Sequence, residues 1–451
     1  MKLSNRFLLN TLLWIVVSWL LILILTLVLV VIKDSGRIRE FDDYQFIVKQ
    51  FITYPFFWGL SLIPWLVYKL IQSWYFSFRK GGLTGLGRRL LFTLLPPFAL
   101  LTTAYYLSVS VQYGETYDYE WDQSFYNAQN HVNYLHREDQ KLRSIHVFSR
   151  LDSQAVSDIV KANIEQVVLV PYAYQEDTST PNLKFLVQHF SDSNHTYHRI
   201  LKLCQSLGLE VILKPHIWIT NPENGKWRAD IAMNSESEWI AWEERYTQFI
   251  LQYARLSEAM QLPYFCIGNE YYVSTTQRPM FWRKLIKKVR KAYSGKLVYG
   301  ANWDREYEEI SFWDDLDYIG IQAYFPVSQI ENPAREDLKD KWKTHLKSIR
   351  EISERYDKKV IFTELGYRSA PNAGVRPWEW EDHLGDFFRP VSLKTQALCY
   401  EAFFEQVWYQ KWIAGVFIWK WQSSTDLDHT FSIRSKPAYN EIAKGFMLKE
   451  R

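Results

Sequence analysis

Cysteine is scarce: only Cys204, Cys266 and Cys399 occur in 451 residues. They lie in apolar runs, are odd in number and show no metal-ligand spacing. That argues against a disulfide framework or a cysteine-built metal centre and predicts buried thiols. Net charge is scarce too, +3 from 53 basic and 50 acidic side chains, so no global field invites a polyanion. The densest basic run, Arg283, Lys284, Lys287, Lys288, Arg290 and Lys291, falls on one face of a helical pattern. No nucleic-acid motif accompanies it, so it reads as a solvated outer face and nucleic acid is not an expected partner.

Charge is missing altogether from Leu8 to Ile32. These roughly 25 residues suffice to span a bilayer. Lys33-Asp34 follows the run where a cleaved signal peptide would carry small residues, so a retained helix is expected. Two further apolar stretches, 54–76 and 90–111, are read as crossings, with one crossing plus a re-entrant hairpin as the competitor. The short loop between them carries Arg79, Lys80, Arg88 and Arg89 and no acid, whereas Glu115, Asp118, Glu120 and Asp122 follow the third stretch. The positive-inside rule then puts the N-terminus inside and everything after Val111 outside the cell membrane. The expected organisation is a membrane segment over 1–111, a polar connector over 112–143 and one large domain over 144–451.

Aromatic residues are plentiful, 17% of the chain with 20 Trp. Many belong in a core, and some suit sugar platforms. From Ser144 onward, short apolar runs alternate with helical patterns, which means α/β with a parallel sheet. Eight strands are expected: Ser144–Ser149, Gln166–Pro171, Glu210–Lys214, Tyr264–Gly268, Lys296–Gly300, Tyr318–Ala323, Lys359–Thr363 and Ala414–Trp419. Glu270 and Glu364 follow the fourth and seventh, 94 residues apart. That is roughly 31 residues per βα unit, the repeat of a (β/α)8 TIM barrel, whose strand C-termini converge on one face.

The strand ends are polar where ordinary strands need not be. They carry Lys214 and His216, Asn269 and Glu270, Asn302 and Trp303, Gln322 and Tyr324, Glu364 and Arg368, and Trp419. Sugar hydroxyls demand fixed donors and acceptors, and sugar rings stack on aromatic faces. Two carboxyls at one barrel mouth suit glycoside hydrolysis, which in its retaining form needs them about 5–5.5 Å apart. Glu270 is the acid/base candidate, with Asn269 placed for the sugar 2-hydroxyl. Glu364 is the nucleophile candidate, with Tyr324 and Arg368 as groups that hold it ionised. His216 either binds a hydroxyl or caps its loop. Trp419 is the expected platform. Asp304 reads as a helix cap, and Asp314, Asp315 and Asp317 as a helix start rather than a metal site. No cofactor or metal is expected.

Several stretches together resemble glycoside hydrolase family 113: Ile267-Gly268-Asn269-Glu270, Tyr299–Asp304, Phe312–Gly320, Ala323–Pro326 and Phe362–Ser369. The resemblance covers residues 144–447 and implies a retaining endo-β-1,4-mannanase type of activity, with Glu270 at the acid/base position and Glu364 at the nucleophile position. Two departures stand out. Several helices precede the barrel, and Val170-Pro171-Tyr172 stands where many relatives carry an arginine at the end of strand two. The expectation is a membrane-anchored extracytoplasmic glycosidase acting on an oligo- or polysaccharide. Its rival is a non-catalytic carbohydrate-binding or envelope-polysaccharide assembly protein on the same barrel. The sequence names no protein partner.

Overall fold

A computed structural model describes residues 55–112, 117–128, 132, 139–148, 151–186, 196–222, 225–380, 390–425 and 427–447. The uncharged stretch Leu8–Ile32 lies outside them. The chain divides into two compact units, Met1–Ser108 and Val109–Arg451.

The helical segment Pro55–Gln112, which lies in the first unit up to Ser108, turns back on itself at Gly82, whose φ of 58° breaks the helix. Trp74 Nε1 donates to Thr93 Oγ1 at 2.9 Å and Arg89 Nε to Ser73 Oγ at 2.9 Å, bonds possible only if two helices run side by side. The basic residues expected in a loop therefore flank a tight helical reversal. Leu66, Ile71, Phe76, Phe92, Leu95, Phe98 and Leu100 are all at least half exposed. Among the described residues, however, no helix is long and apolar enough to cross a membrane. The crossings expected over 54–76 and 90–111 are not met by these helices. Lys69, Gln72 and Ser73 dilute the first, and Thr93, Pro96, Pro97 and Thr102 the second.

The second unit is a closed barrel of eight parallel strands: β1 (Leu142–Val147), β2 (Gln166–Leu169), β3 (Glu210–Leu213), β4 (Tyr264–Asn269), β5 (Lys296–Asn302), β6 (Ile319–Gln322), β7 (Val360–Leu365) and β8 (Ile413–Trp421). Each strand pairs with the next, and β8 closes on β1 with Leu142 opposite Gly415. All eight fall on the runs read from sequence. They are near-continuous apolar runs because both faces of the sheet are covered, as β8 shows with nine buried residues out of nine.

The helices follow from local chemistry. α1 (Ser153–Lys161) starts where Asp152 accepts from Ala155 N. α2 (Thr196–Ser206) follows β2. α3 (Glu236–Ala259) is capped by Ser235, which accepts from Glu238 N, while the Glu238 carboxylate takes the Asn234 N–H. α4 (Pro279–Ala292) has its proline in the first turn. Arg283 and Arg290 on its basic face reach Asp314, Asp315 and Asp317 at 2.6–2.9 Å. Those three acids anchor the β5–β6 connection to α4, and Asp314 and Asp315 lie in the one-turn helix Trp313–Asp315. That connection holds only the short helix Glu306–Glu309 and one further turn. α5 (Arg335–Tyr356), α6 (Leu393–Phe403) and α7 (Pro437–Met447) follow β6, β7 and β8.

The barrel interior changes character along its axis. Leu142, Val168, Ile212, Ile361, Ala414 and Phe417 plug one end. Side chains on one face recur every second residue. The same faces of β1 and β3 therefore carry His146 and Lys214 at the C-terminal end. The expected connector does not hang free. Tyr119 donates to Glu441 Oε1 at 2.6 Å, and Tyr126 packs edge-on against Tyr439, both on α7. All three cysteines are free and buried.

Candidate active site

Glu364 lies on β7, buried to 3% exposure. Its Oε1 accepts a short hydrogen bond from Lys214 Nζ, just past β3, and its Oε2 accepts from Tyr324 OH at 2.8 Å, just past β6. Lys214 also donates to Gln322 Oε1 at 2.7 Å. Burial, then the negative charge of Glu364, keep the Tyr324 phenol well above its ordinary pKa, so it stays a donor. Arg368, expected beside Glu364, instead donates to the Trp380 carbonyl at 2.9 Å. Lys214 supplies the cation.

Glu270 follows β4 with φ at 55°, a left-handed backbone that residues with a Cβ seldom adopt. It too is 3% exposed. Its Oε1 accepts from Asn302 Nδ2 at 2.9 Å, and its Oε2 from Arg228 Nη2 at 2.7 Å and Nε at 3.1 Å. Gly268, two residues earlier, has no room for a side chain: an added Cβ would meet the Tyr246 hydroxyl at 2.6 Å. That close approach lets the hydroxyl donate to the Ile267 carbonyl at 2.8 Å.

Between the two carboxylates' surroundings lie polar groups with no protein partner. Asn269 is fully buried, and neither its amide oxygen nor its nitrogen is hydrogen-bonded; the same holds for Gln322 Nε2 and His216 Nε2. Buried polar atoms are costly unless paired, so these suit a polar ligand. His216 starts a short strand, His216–Ile219, that pairs with Tyr172–Gln175 outside the barrel. Burial, then the charges of Lys214 and Arg228, hold its imidazole well below its ordinary pKa, hence neutral. His146, against Lys214 at 3.5 Å, is held neutral in the same way.

Aromatic rings surround this polar centre. Trp303 stacks on Trp378 with centroids 5.0 Å apart. Trp419 is only 4% exposed and meets His146, Phe148 and Trp380 edge-on. Open ring area is found instead on Trp218, Trp227, Trp378 and Trp380. Asp304 does not cap the helix that follows it; it is exposed and pairs with Arg305 at 3.5 Å.

Sequence reasoning missed Arg228, Glu306, Trp378 and Trp380. Arg228 and the two tryptophans sit in loops, where no periodicity marks them. Glu306 opens a four-residue helix and is nonetheless 1% exposed. Its carboxyl oxygens accept from Asn302 N, Tyr299 OH and Thr275 Oγ1 at 2.7–2.9 Å. Burial, opposed by those bonds and reinforced by the Glu270 charge, pushes its pKa up to about 8.

Two buried carboxylates at the C-terminal ends of β4 and β7, each braced by a cation and a neutral donor, place the molecule among the (β/α)8 glycoside hydrolases. The family model of Glycoside Hydrolase Family 113 matches residues 149–439. The chain belongs to that family and is a glycosidase. It is similar to the GH113 β-mannanase of Alicyclobacillus acidocaldarius, solved in complex with ManMIm. The two are 25% identical with a TM-score of 0.57, covering 68% of this chain and 97% of that one. A further GH113 β-1,4-mannanase, solved as a complex, shares the fold at 24% identity and a TM-score of 0.58, covering 68% of this chain and 99% of that one. No curated protein sequence matches this chain.

Proposed function

We propose that the protein hydrolyses β-linked mannan-type glycans by a retaining double displacement. One observation carries the reading: Glu270 and Glu364 converge on one barrel mouth, with Asn269 buried and unpartnered beside them. The relatives that are β-mannanases support the substrate class.

Glu364 attacks the anomeric carbon. Lys214 and Tyr324 hold its two oxygens in place for the attack. Glu270 protonates the departing oxygen as the C–O bond breaks. Arg228 and Asn302 hold the two oxygens of Glu270 in place for that transfer. Once the glycosyl-enzyme forms, Glu364 carries no charge. Glu270 then takes a proton from water, which attacks and releases the sugar with its configuration retained. The Asn269 amide meets the 2-hydroxyl, and Gln322 and His216 offer further polar contacts. Trp303, Trp378 and Trp380 stack on sugar rings.

The reading includes anchoring to the cell membrane through Leu8–Ile32, with residues after Val111 outside. The charge-free run, and the apolar side chains exposed on the hairpin 66–100, support it.

The test is hydrolysis of a panel of β-linked oligosaccharides by the wild type, Glu270→Gln and Glu364→Gln, with product anomers followed by NMR. Cleavage of mannan oligosaccharides to the retained anomer, lost in both variants, is expected. An inverted product would overturn the mechanism, and cleavage of a different sugar would overturn the substrate. Reporter fusions after Val111 test the topology; a cytoplasmic signal there would overturn it.

A further inference from the structure

We propose that Glu306 is the positioning residue of the acid/base carboxylate, holding Glu270 in place from both sides. The inference rests on the role given to Glu270 above. On one side Glu306 Oε2 accepts from the backbone N–H of Asn302 at 2.7 Å, and the Asn302 side chain donates to Glu270 Oε1 at 2.9 Å. On the other, Tyr299 OH donates to Glu306 Oε1 at 2.7 Å and itself accepts from the backbone N–H of Tyr271 at 2.7 Å. Tyr271 is the residue after Glu270. The two routes therefore meet on the one residue of the site whose backbone is left-handed. The Glu270 N–H is also tied to the Gly300 carbonyl at 2.9 Å, one residue from Tyr299 on β5.

A non-Gly residue at positive φ persists only when its surroundings over-determine it. Glu306 supplies that over-determination, because one carboxyl group fixes both the peptide after Glu270 and the side chain that orients its Oε1. A carboxyl that merely filled space would be a costly choice at 1% exposure. Thr275 Oγ1, from the segment that follows Glu270, closes the cluster at 2.9 Å.

The function of Glu270 that depends most on placement is proton delivery to the leaving oxygen. A leaving group stable as an anion departs without that proton. The experiment compares kcat/KM, which reports the first bond-breaking step, for 2,4-dinitrophenyl and 4-methylphenyl β-mannobiosides on the full-length protein. The variants are Glu306→Gln, Tyr299→Phe and Glu270→Gln. In Glu306→Gln an amide N–H faces the Asn302 N–H, donor against donor. Tyr299→Phe cuts the Tyr271 route with little change in volume. Both are expected to lose on the order of 10²-fold on the methylphenyl substrate and to stay within about threefold on the dinitrophenyl one. Glu270→Gln should show the same split, larger. Equal losses on both substrates in Glu306→Gln and Tyr299→Phe, with the split intact in Glu270→Gln, would reduce Glu306 to a structural role and overturn the inference. Absence of the split in Glu270→Gln would overturn the role of Glu270 and this inference with it. If Glu306→Gln fails to fold, Tyr299→Phe decides alone.

Discussion

The two carboxylates of the site are equally buried but are held by different parts of the fold. Glu364 is braced from barrel strand ends: Lys214 follows β3, Gln322 ends β6 and Tyr324 follows it. Glu270 is braced mostly from connections. Arg228 comes from a turn well past β3, Glu306 from the β5–β6 connection, and only Asn302 from a strand end. Strands in a closed barrel cannot shift one by one, whereas connections can. The group that must bond to the anomeric carbon, the proposed nucleophile, is therefore bolted to the frame. The group that must release and recapture a proton is held by parts that can move.

The sharpest way to break that comparison is to remove each carboxylate. Glu364→Gln should abolish turnover, a loss of about 10⁴-fold or more, for activated and unactivated substrates alike. Glu270→Gln should lose about 10²- to 10⁴-fold on natural glycans. A Glu364→Gln variant that still cleaves an activated aryl glycoside would break the assignment of roles. The cations come next. Lys214→Met strands a buried carboxylate, because Lys214 is wholly inaccessible and Glu364 nearly so. Thermal or chemical denaturation should show a stability loss of about 3–5 kcal/mol. Arg228→Met should lose clearly less, because the Arg228 side chain is 20% exposed and water reaches the pair. Equal losses would mean that the mobile and the fixed frames are not different in kind.

The same division explains what could be read from the sequence. Strand periodicity located all eight barrel strands, and the barrel rule then carried Lys214, Asn269, Glu270, Asn302, Gln322, Tyr324 and Glu364 to one mouth. Arg368 also follows a strand, yet it turns to a loop carbonyl, because side-chain direction past a strand end is not fixed by the twofold repeat. Arg228 lies 15 residues past β3 in a stretch with Pro, Gly and Asn, where no period exists to place it. Glu306 sits in a run reading Arg-Glu-Tyr-Glu-Glu, which looks like a solvated turn; only the tertiary arrangement buries its first glutamate. Trp419 is expected as an open platform but is buried edge-on against Phe148 and Trp380, residues past strand ends whose side-chain directions no repeat fixes.

The pH dependence of stability turns on Glu306. Its carboxyl titrates in the folded protein at about 8, above the ordinary 4.5, mainly because it is buried. The folded state thus binds this proton more tightly than the unfolded chain does. Linkage makes the contribution fully present below about pH 4.5 and progressively lost as pH rises towards 8. Between pH 5 and 8 the loss is on the order of 3 kcal/mol. The two buried histidines act in the opposite sense. His146 and His216 are held below their ordinary 6.5, so the folded state binds fewer of their protons and gains stability as pH rises towards 6.5. The raw stability curve of the wild type is therefore a sum in which the Glu306 slope is partly masked. The difference between wild type and Glu306→Gln isolates it, since the histidines cancel. That difference should shrink steadily from pH 5 to 8, as the wild type gives up the advantage of its protonated carboxyl and the amide variant does not. A difference independent of pH would mean that Glu306 is ionised in the fold throughout. The connection-borne side of the site would then hold a fixed charge, as the strand-borne side does, and the contrast between the two carboxylates would narrow to the mobility of their partners alone.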